Sequence, residues 1–269
     1  MKASIITRIV LYSVLILVLC GVLVSGIMGS SFGFGTGFDY EDAKLYTAGG
    51  GSIDSSKINE IEIEWIDGDI NIIELRGADI IGFSEEGGSE PMQYLVKGDK
   101  LMIKFCKPLR FMKNVDSKTL TLELPVGKSL RKLAIENING DVKSYVFADI
   151  DSVSIENVNG DVDMQGNFEN IDCETVSGDI RFFTGKTLHS GDFESVSSDI
   201  TLELFQTGGA NDVKGFSAEF DSISGKLDTD FDVSVVGDAF VYGDGGCDLD
   251  FDTVSGNVKI LRQANHRGN

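Results

Sequence analysis

The side chains best placed to do chemistry are carboxylates at a recurring position. Glu64, Glu136, Glu156, Glu174, Glu194, Asp221 and Asp252 each stand four residues before the second member of a turn-like pair. Rungs stacked in register would bring these acids into a column with a spacing of about 4.8 Å. Oxygen-rich columns suit a hard cation such as Ca²⁺, and Glu136, Glu156, Glu174 and Glu194 are the candidate ligands. Screening by water and salt, or hydrogen bonds from turn N–H groups, would serve the same acids without a metal. Asp228, Asp230 and Asp232 alternate along one strand face and read as solvated. Gly243 to Asp248 forms one imperfect copy of a glycine–aspartate calcium motif, whose known forms act in tandem, so it reads as a flexible turn.

Signals for catalysis are thin. The two histidines, His189 and His266, fall in a polar loop and in the QANHRGN tail. No HExxH or phosphate-loop pattern occurs, so no catalytic or cofactor-binding residue is assigned and the chain reads as non-enzymatic. Cys106, Cys173 and Cys247 cannot all pair with one another and form no CxxC motif; they read as small buried apolar residues. The 269 residues include 43 acids and 23 bases, a net charge of −20. Such a surface repels phosphate backbones and excludes nucleic acid as a partner.

The carboxylates are carried by an internal repeat. Its turn pairs are Asp67-Gly68, Asn139-Gly140, Asn159-Gly160, Ser177-Gly178, Ser197-Ser198, Ser224-Gly225 and Ser255-Gly256. With the second residue as zero, offsets −7, −5, −2, +2 and +4 are apolar except at Ser144, Gly191 and Thr229. These slots are the expected core. Offsets −7/−5 and +2/+4 alternate with the period of strands. A hairpin would set apolar slots against acids, whereas a corner turns both arms inward. Corners repeating every 20, 18, 20, 27 and 31 residues from Gly140 onward make a solenoid.

The fold expected is therefore all-β, a single-domain β-solenoid of stacked short strands over 58–262. Insertions are expected near Gln206–Lys214 and Val235–Gly246. Between Gly68 and Gly140, a hairpin should turn at Gly98-Asp99 and TLTLEL at 119–124 should form a strand. Trp65, at offset −3, is predicted to face away from the core and to pack on the hairpin segment, with exposure for binding as the alternative.

No charge occurs between Arg8 and Asp39, and Ile9 to Met28 is almost wholly apolar. A helix of those 20 residues would be about 30 Å long and would cross a bilayer. Bases before it and acids after it put the N-terminus in the cytoplasm and the rest outside the cell membrane. A cleaved signal peptide ending near Val24-Ser25-Gly26 is the competing reading, and a lipoprotein modified at Cys20 is disfavoured by Leu19. Residues 1–29 are then the anchor, 30–57 a flexible juxtamembrane spacer rich in Gly and Ser, and 263–269 a tail, with regular structure beginning near Ile58.

A membrane span, a strand like IEIEWIDGDINII, a hairpin, TLTLELP and successive NGDV or SGDI turns together resemble the bacterial DUF4097 proteins. These are candidate adhesins related to the LiaG-like and toastrack domains. The resemblance covers roughly Ile58 to Leu261. It implies an extracytoplasmic β-strand-repeat module on a membrane anchor, often encoded near envelope-stress or PadR-type regulatory genes, with no catalytic residues to carry over. Two functions follow as expectations. One is an adhesin-like surface binding an envelope polymer or glycan. The other is the sensory or regulatory head of an envelope stress system, which would need a membrane regulatory protein as partner.

Overall fold

The computed structural model describes residues 40–108, 116–205 and 215–263. The expected anchor, Cys20, the Gln206–Lys214 insertion and His266 lie outside them. Among the described residues no helix is long and apolar enough to cross a membrane. The only helical turns there are two short 3-10 segments, Ala43–Leu45 and Ser55–Lys57.

The repeat builds a two-sided parallel solenoid. Residues before each turn form a first sheet and residues after it a second, each strand pairing in register with the equivalent strand of the next rung. A turn occupies each corner because glycine there adopts φ between +106° and +156° at Gly68, Gly140, Gly160, Gly178 and Gly256. The corners also touch. A Cβ on Gly160 would lie 2.2 Å from the Gly140 carbonyl oxygen. Glycine is thus required by stacking as well as by dihedral angle.

Inward slots −7, −5, +2 and +4 fill the space between the sheets: Val153, Ile155, Val162 and Met164 of the Gly160 rung are all buried. The three exceptions have local explanations. Ser144 donates to the Gln165 carbonyl at 3.2 Å and Thr229 to that of Ile260 at 2.7 Å. Gly191 leaves room that the Phe193 ring and Leu249 occupy, and Phe193 stacks on Phe251 at 5.1 Å.

Offset −2 enters the core only at Ile66 of the Gly68 rung; on the other rungs it does not point inward. The strand keeps its alternation to −3, so −7, −5 and −3 face the core while −6, −4 and −2 face out. Val158 is half-exposed, whereas Asn157 beside it is buried. The −2 residues are all Ile or Val because β-branched chains pack side by side along an outer sheet surface. The −3 residues Asn137, Asn157, Thr175, Ser195 and Thr253 form a buried polar seam. Asn137 and Asn157 each donate to the carbonyl of the turn glycine three residues on, at 2.8 Å, satisfying a group that the corner bends away from the ladder. Trp65 shares this position. Far from facing away, it is fully buried, its Nε1 donating to the Lys118 carbonyl at 2.9 Å and its ring meeting Phe105 at 4.9 Å.

Eight rungs stack among the described residues, one more than the turn motif marks. The extra rung joins Lys100–Lys104 to Lys118–Pro125 and packs outside the Gly68 rung, although it follows that rung in sequence. The opposite end repeats this inversion. Cys247–Ser255 and Val258–Arg262 insert between the Ser198 rung and the Gly225 rung, which becomes the terminal one. The expected hairpin is present as Gln93–Lys97 with Lys100–Lys104, and the expected strand as Lys118–Pro125. The late insertion contains the antiparallel pair Ser234–Val236 and Ala239–Tyr242.

Regular structure begins before Ile58. Gly51–Asp54 pairs with Ile80–Gly87, and Thr47–Ala48 with Gln93–Lys97, so the second half of the expected spacer covers the end of the solenoid. Antiparallel neighbours there occupy the hydrogen-bonding edge of the first rung, which would otherwise template further strands.

Candidate functional site

The predicted acid column exists. Glu64 pairs with Glu136, Glu136 with Glu156, Glu156 with Glu174, Glu174 with Glu194, Glu194 with Asp252, and Asp252 with Asp221. Strand parity adds a second row two residues upstream, where Asp172, Asp192 and Asp250 stand in register. The two rows run side by side on the outer face of the first sheet, flanked by the Ile and Val row at offset −2.

One end of this face is neutralised. Lys104 is buried against Glu62 and Glu64, and Lys100 also contacts Glu62. Burial works against the Glu62 carboxylate, but the hydrogen bond from Lys100 and the charge of Lys104 outweigh it and lower its pKa. Further along, the balance reverses. Burial, then Glu136 and Glu174, push Glu156 up to about 7. Burial, then Glu174 and Asp192, push Glu194 up to about 7, and burial with Asp250 raises Asp192 to about 6. Glu174 and Glu194 each keep one buried carboxylate oxygen without a hydrogen-bond partner. A hollow of about 400 Å³ opens beside these rows, lined in part by Asp192, Glu219 and Asp250. Half-burial and like charges at rung spacing thus favour protonated carboxyls on this face near neutral pH.

The Ca²⁺ expectation for Glu136, Glu156, Glu174 and Glu194 meets a straight row of acids. Among the described residues no group of three or more His, Cys, Asp or Glu side chains is gathered to hold an ion.

A third row of acids, at the corners, does structural work. At offset +1, Asp69 accepts from the N–H of Asp141 at 2.9 Å, Asp141 from Asp161 at 2.9 Å, Asp161 from Asp179 at 2.9 Å, Asp179 from Asp199 at 3.2 Å and Asp199 from Asn257 at 2.8 Å. This ladder explains the NGD and SGD signature: each aspartate caps the turn of the next rung. A polar hollow of about 480 Å³ ends the ladder between Asp179, Asp199, Lys226 and Asn257.

The remaining candidates are dispersed. Asp228, Asp230 and Asp232 are exposed, Asp230 accepting from the Arg262 N–H at 2.8 Å. The Gly243–Asp248 turn is held by Asp244, which accepts from the N–H groups of Gly215 and Gly246. His189 lies 3.9 Å from Glu169 on an exposed corner. Cys106, Cys173 and Cys247 are buried free thiols, as expected, and burial raises the pKa of each. Sequence reasoning missed the aromatic residues Tyr145, Phe147 and Phe183 on the second sheet: Tyr145 and Phe183 share offset +5, but the other rungs hold non-aromatic residues there and Phe147 lies in a bulge outside the repeat.

Three solved structures are similar to this chain at low identity. A candidate cell adhesion protein from Clostridium sporogenes is 11% identical, with 81% of this chain and 100% of that chain covered and a TM-score of 0.47. A candidate adhesin from Bacteroides fragilis is 13% identical, with 78% and 95% covered and a TM-score of 0.37. Another from Parabacteroides distasonis is 12% identical, with 81% and 97% covered and a TM-score of 0.33. No match was found among curated proteins. The family comparison is decisive: the Toastrack DUF4097 model matches residues 58–267, from the first inward strand to beyond the last rung, and the chain belongs to that family.

Proposed function

We propose that this chain is a non-enzymatic, adhesin-like surface module held at the cell membrane by its apolar N-terminal segment. One observation carries the reading. The chemistry-bearing side chains are laid out in straight rows on two open sheet faces, at rung spacing, instead of converging in a cleft. Rows of that kind match an extended macromolecule with its own repeat better than a small substrate. The Ile9–Met28 run supplies the anchor, with the solenoid outside the cell.

The test is retention of the full chain, in detergent micelles, on isolated bacterial envelope fragments. Saturable retention supports the reading, and absence of retention overturns it. External protease on intact protoplasts should degrade the solenoid, and protection would invert the topology.

The in-register acid rows favour a second reading, a sensory head whose surface charge changes near neutral pH. Cross-linking in membranes that recovers a stoichiometric regulatory membrane protein, without envelope retention, would select it.

A further inference from the structure

The outer face of the second sheet differs from the acid face. By register, Ile73 stands beside Tyr145, Tyr145 pairs with Gln165, and Gln165 pairs with Phe183. That row spans three rung steps, about 14 Å. Phe147 falls in the register shift between Tyr145 and Asp149, where this rung carries two residues more than the next. Val146 and Ala148 on either side of it are buried, so Phe147 is turned out. It remains 52% exposed and Tyr145 51%. The Phe147 ring lies over Gly185, where a Cβ would touch it at an ordinary 3.5 Å, and meets Phe183 edge to face at 6.0 Å. The repeat does not need these rings. Equivalent outward positions on neighbouring rungs hold Gln165 and Glu203 without loss of the strand.

The cations around the rings are each paired with an acid, and Asp163 stands in register between Lys143 and Arg181. Arg181 pairs with Glu203 at 2.6 Å, Lys186 with Asp149 at 2.5 Å and Lys143 with Asp141 at 2.7 Å. In a chain of net charge −20, this patch presents neither a run of unpaired cations to a polyanion nor a row of acids to a basic peptide. Its electrostatic complement is a neutral ligand. Its contact chemistry is ring faces bordered by the amides of Gln165 and Asn167 and the Tyr145 hydroxyl. A pyranose has the matching pattern, with a C–H face that stacks on aromatic rings and hydroxyls around its rim. Exposed contiguous rings of this kind mark interaction surfaces.

We infer that the Tyr145–Phe147–Phe183 face binds a neutral polysaccharide, with sugar rings seated on the aromatic side chains and hydroxyls hydrogen-bonded to the flanking amides. This rests on the adhesive-surface reading above and names its ligand class.

The experiment is affinity electrophoresis of the full chain in detergent through gels containing hydroxyethyl cellulose, dextran or galactomannan, with heparin as the anionic probe. At least one neutral polymer should retard the protein, and high salt should leave that retardation unchanged. The Tyr145→Ala/Phe147→Ala double variant should weaken it at least about tenfold at an unchanged melting temperature. Tyr145→Phe/Phe147→Tyr should retain it. Retardation by none of the neutral polymers, equal retardation of the double alanine variant, or salt-sensitive binding to heparin alone would overturn the inference. Envelope-fragment retention separates the two failures. If it persists while no neutral polymer binds, the adhesive reading stands and the saccharide inference falls; if both are absent, both fall.

Discussion

Asn157 donates its side-chain amide to the carbonyl of Gly160 at 2.8 Å and reaches that of Gly140, one rung away, at 3.4 Å. The side chain that looks polar enough for the surface is therefore buried at the corner, and its apolar neighbour Val158 lies outside.

Substitution should follow that geometry. Asn157→Asp places a charge beside two buried carbonyl oxygens and should cost about 3 kcal/mol or more. Val158→Thr keeps the β-branch on the outer face and should stay within about 0.5 kcal/mol. Denaturant melts of the two variants check this; equal shifts would refute the inward −3 assignment.

Stacking at the corners makes Gly160 one of the least replaceable residues. Its φ of +128° and the 2.2 Å approach of the Gly140 oxygen leave no place for a Cβ. Gly160→Ala should lower stability by several kcal/mol or prevent folding. Gly77, with φ +79° and nothing within 4 Å of a Cβ, isolates the dihedral effect. Gly77→Ala should cost about 1 kcal/mol. Circular-dichroism melts would show whether the two differ as stated.

The aspartate ladder predicts a directional effect. Asp161→Ala removes the acceptor for the Asp179 N–H and should destabilise by about 1 kcal/mol. Asp161→Asn retains an acceptor oxygen and should recover most of the loss. Hydrogen exchange should quicken at Asp179 in the alanine variant, while the N–H of Asp141, capped by Asp69, stays unchanged.

The acid rows give an unusual pH profile. Glu156 and Glu194 titrate near 7 and Asp192 near 6 when folded, against 4.5 and 3.8 as ordinary values. A raised carboxylate pKa means that the folded state binds more protons, so stability rises as pH falls. The penalty is fully present above about pH 7 and is relieved as pH falls through the folded values toward the unfolded ones. Melting temperature should therefore increase from pH 8 to pH 5. Below the unfolded range it should fall, because Glu62 and Asp149, held below their ordinary values, then lose their pairing with Lys100 and Lys186. Glu194→Gln should raise the melting temperature at pH 8 and flatten the slope; a flat wild-type profile would refute the coupling.

Much of the molecule was legible because a repeat states each requirement many times over. The turn glycines, the inward slots at −7, −5, +2 and +4, and the acid column at −4 recur with every rung, and in-register stacking converts equal offsets into neighbouring positions. Three matters needed the tertiary structure. Which of −3 and −2 enters the core depended on partners for a buried polar −3 side chain: the corner carbonyls for Asn137 and Asn157, and Thr253 for Ser195. The order of rungs at both ends depended on which strand edge was open, since connections of different length close at similar cost. Tyr145 and Phe183 share one repeat offset, but their meeting with Phe147 came from a two-residue bulge that lies outside the repeat, which no periodic position encodes.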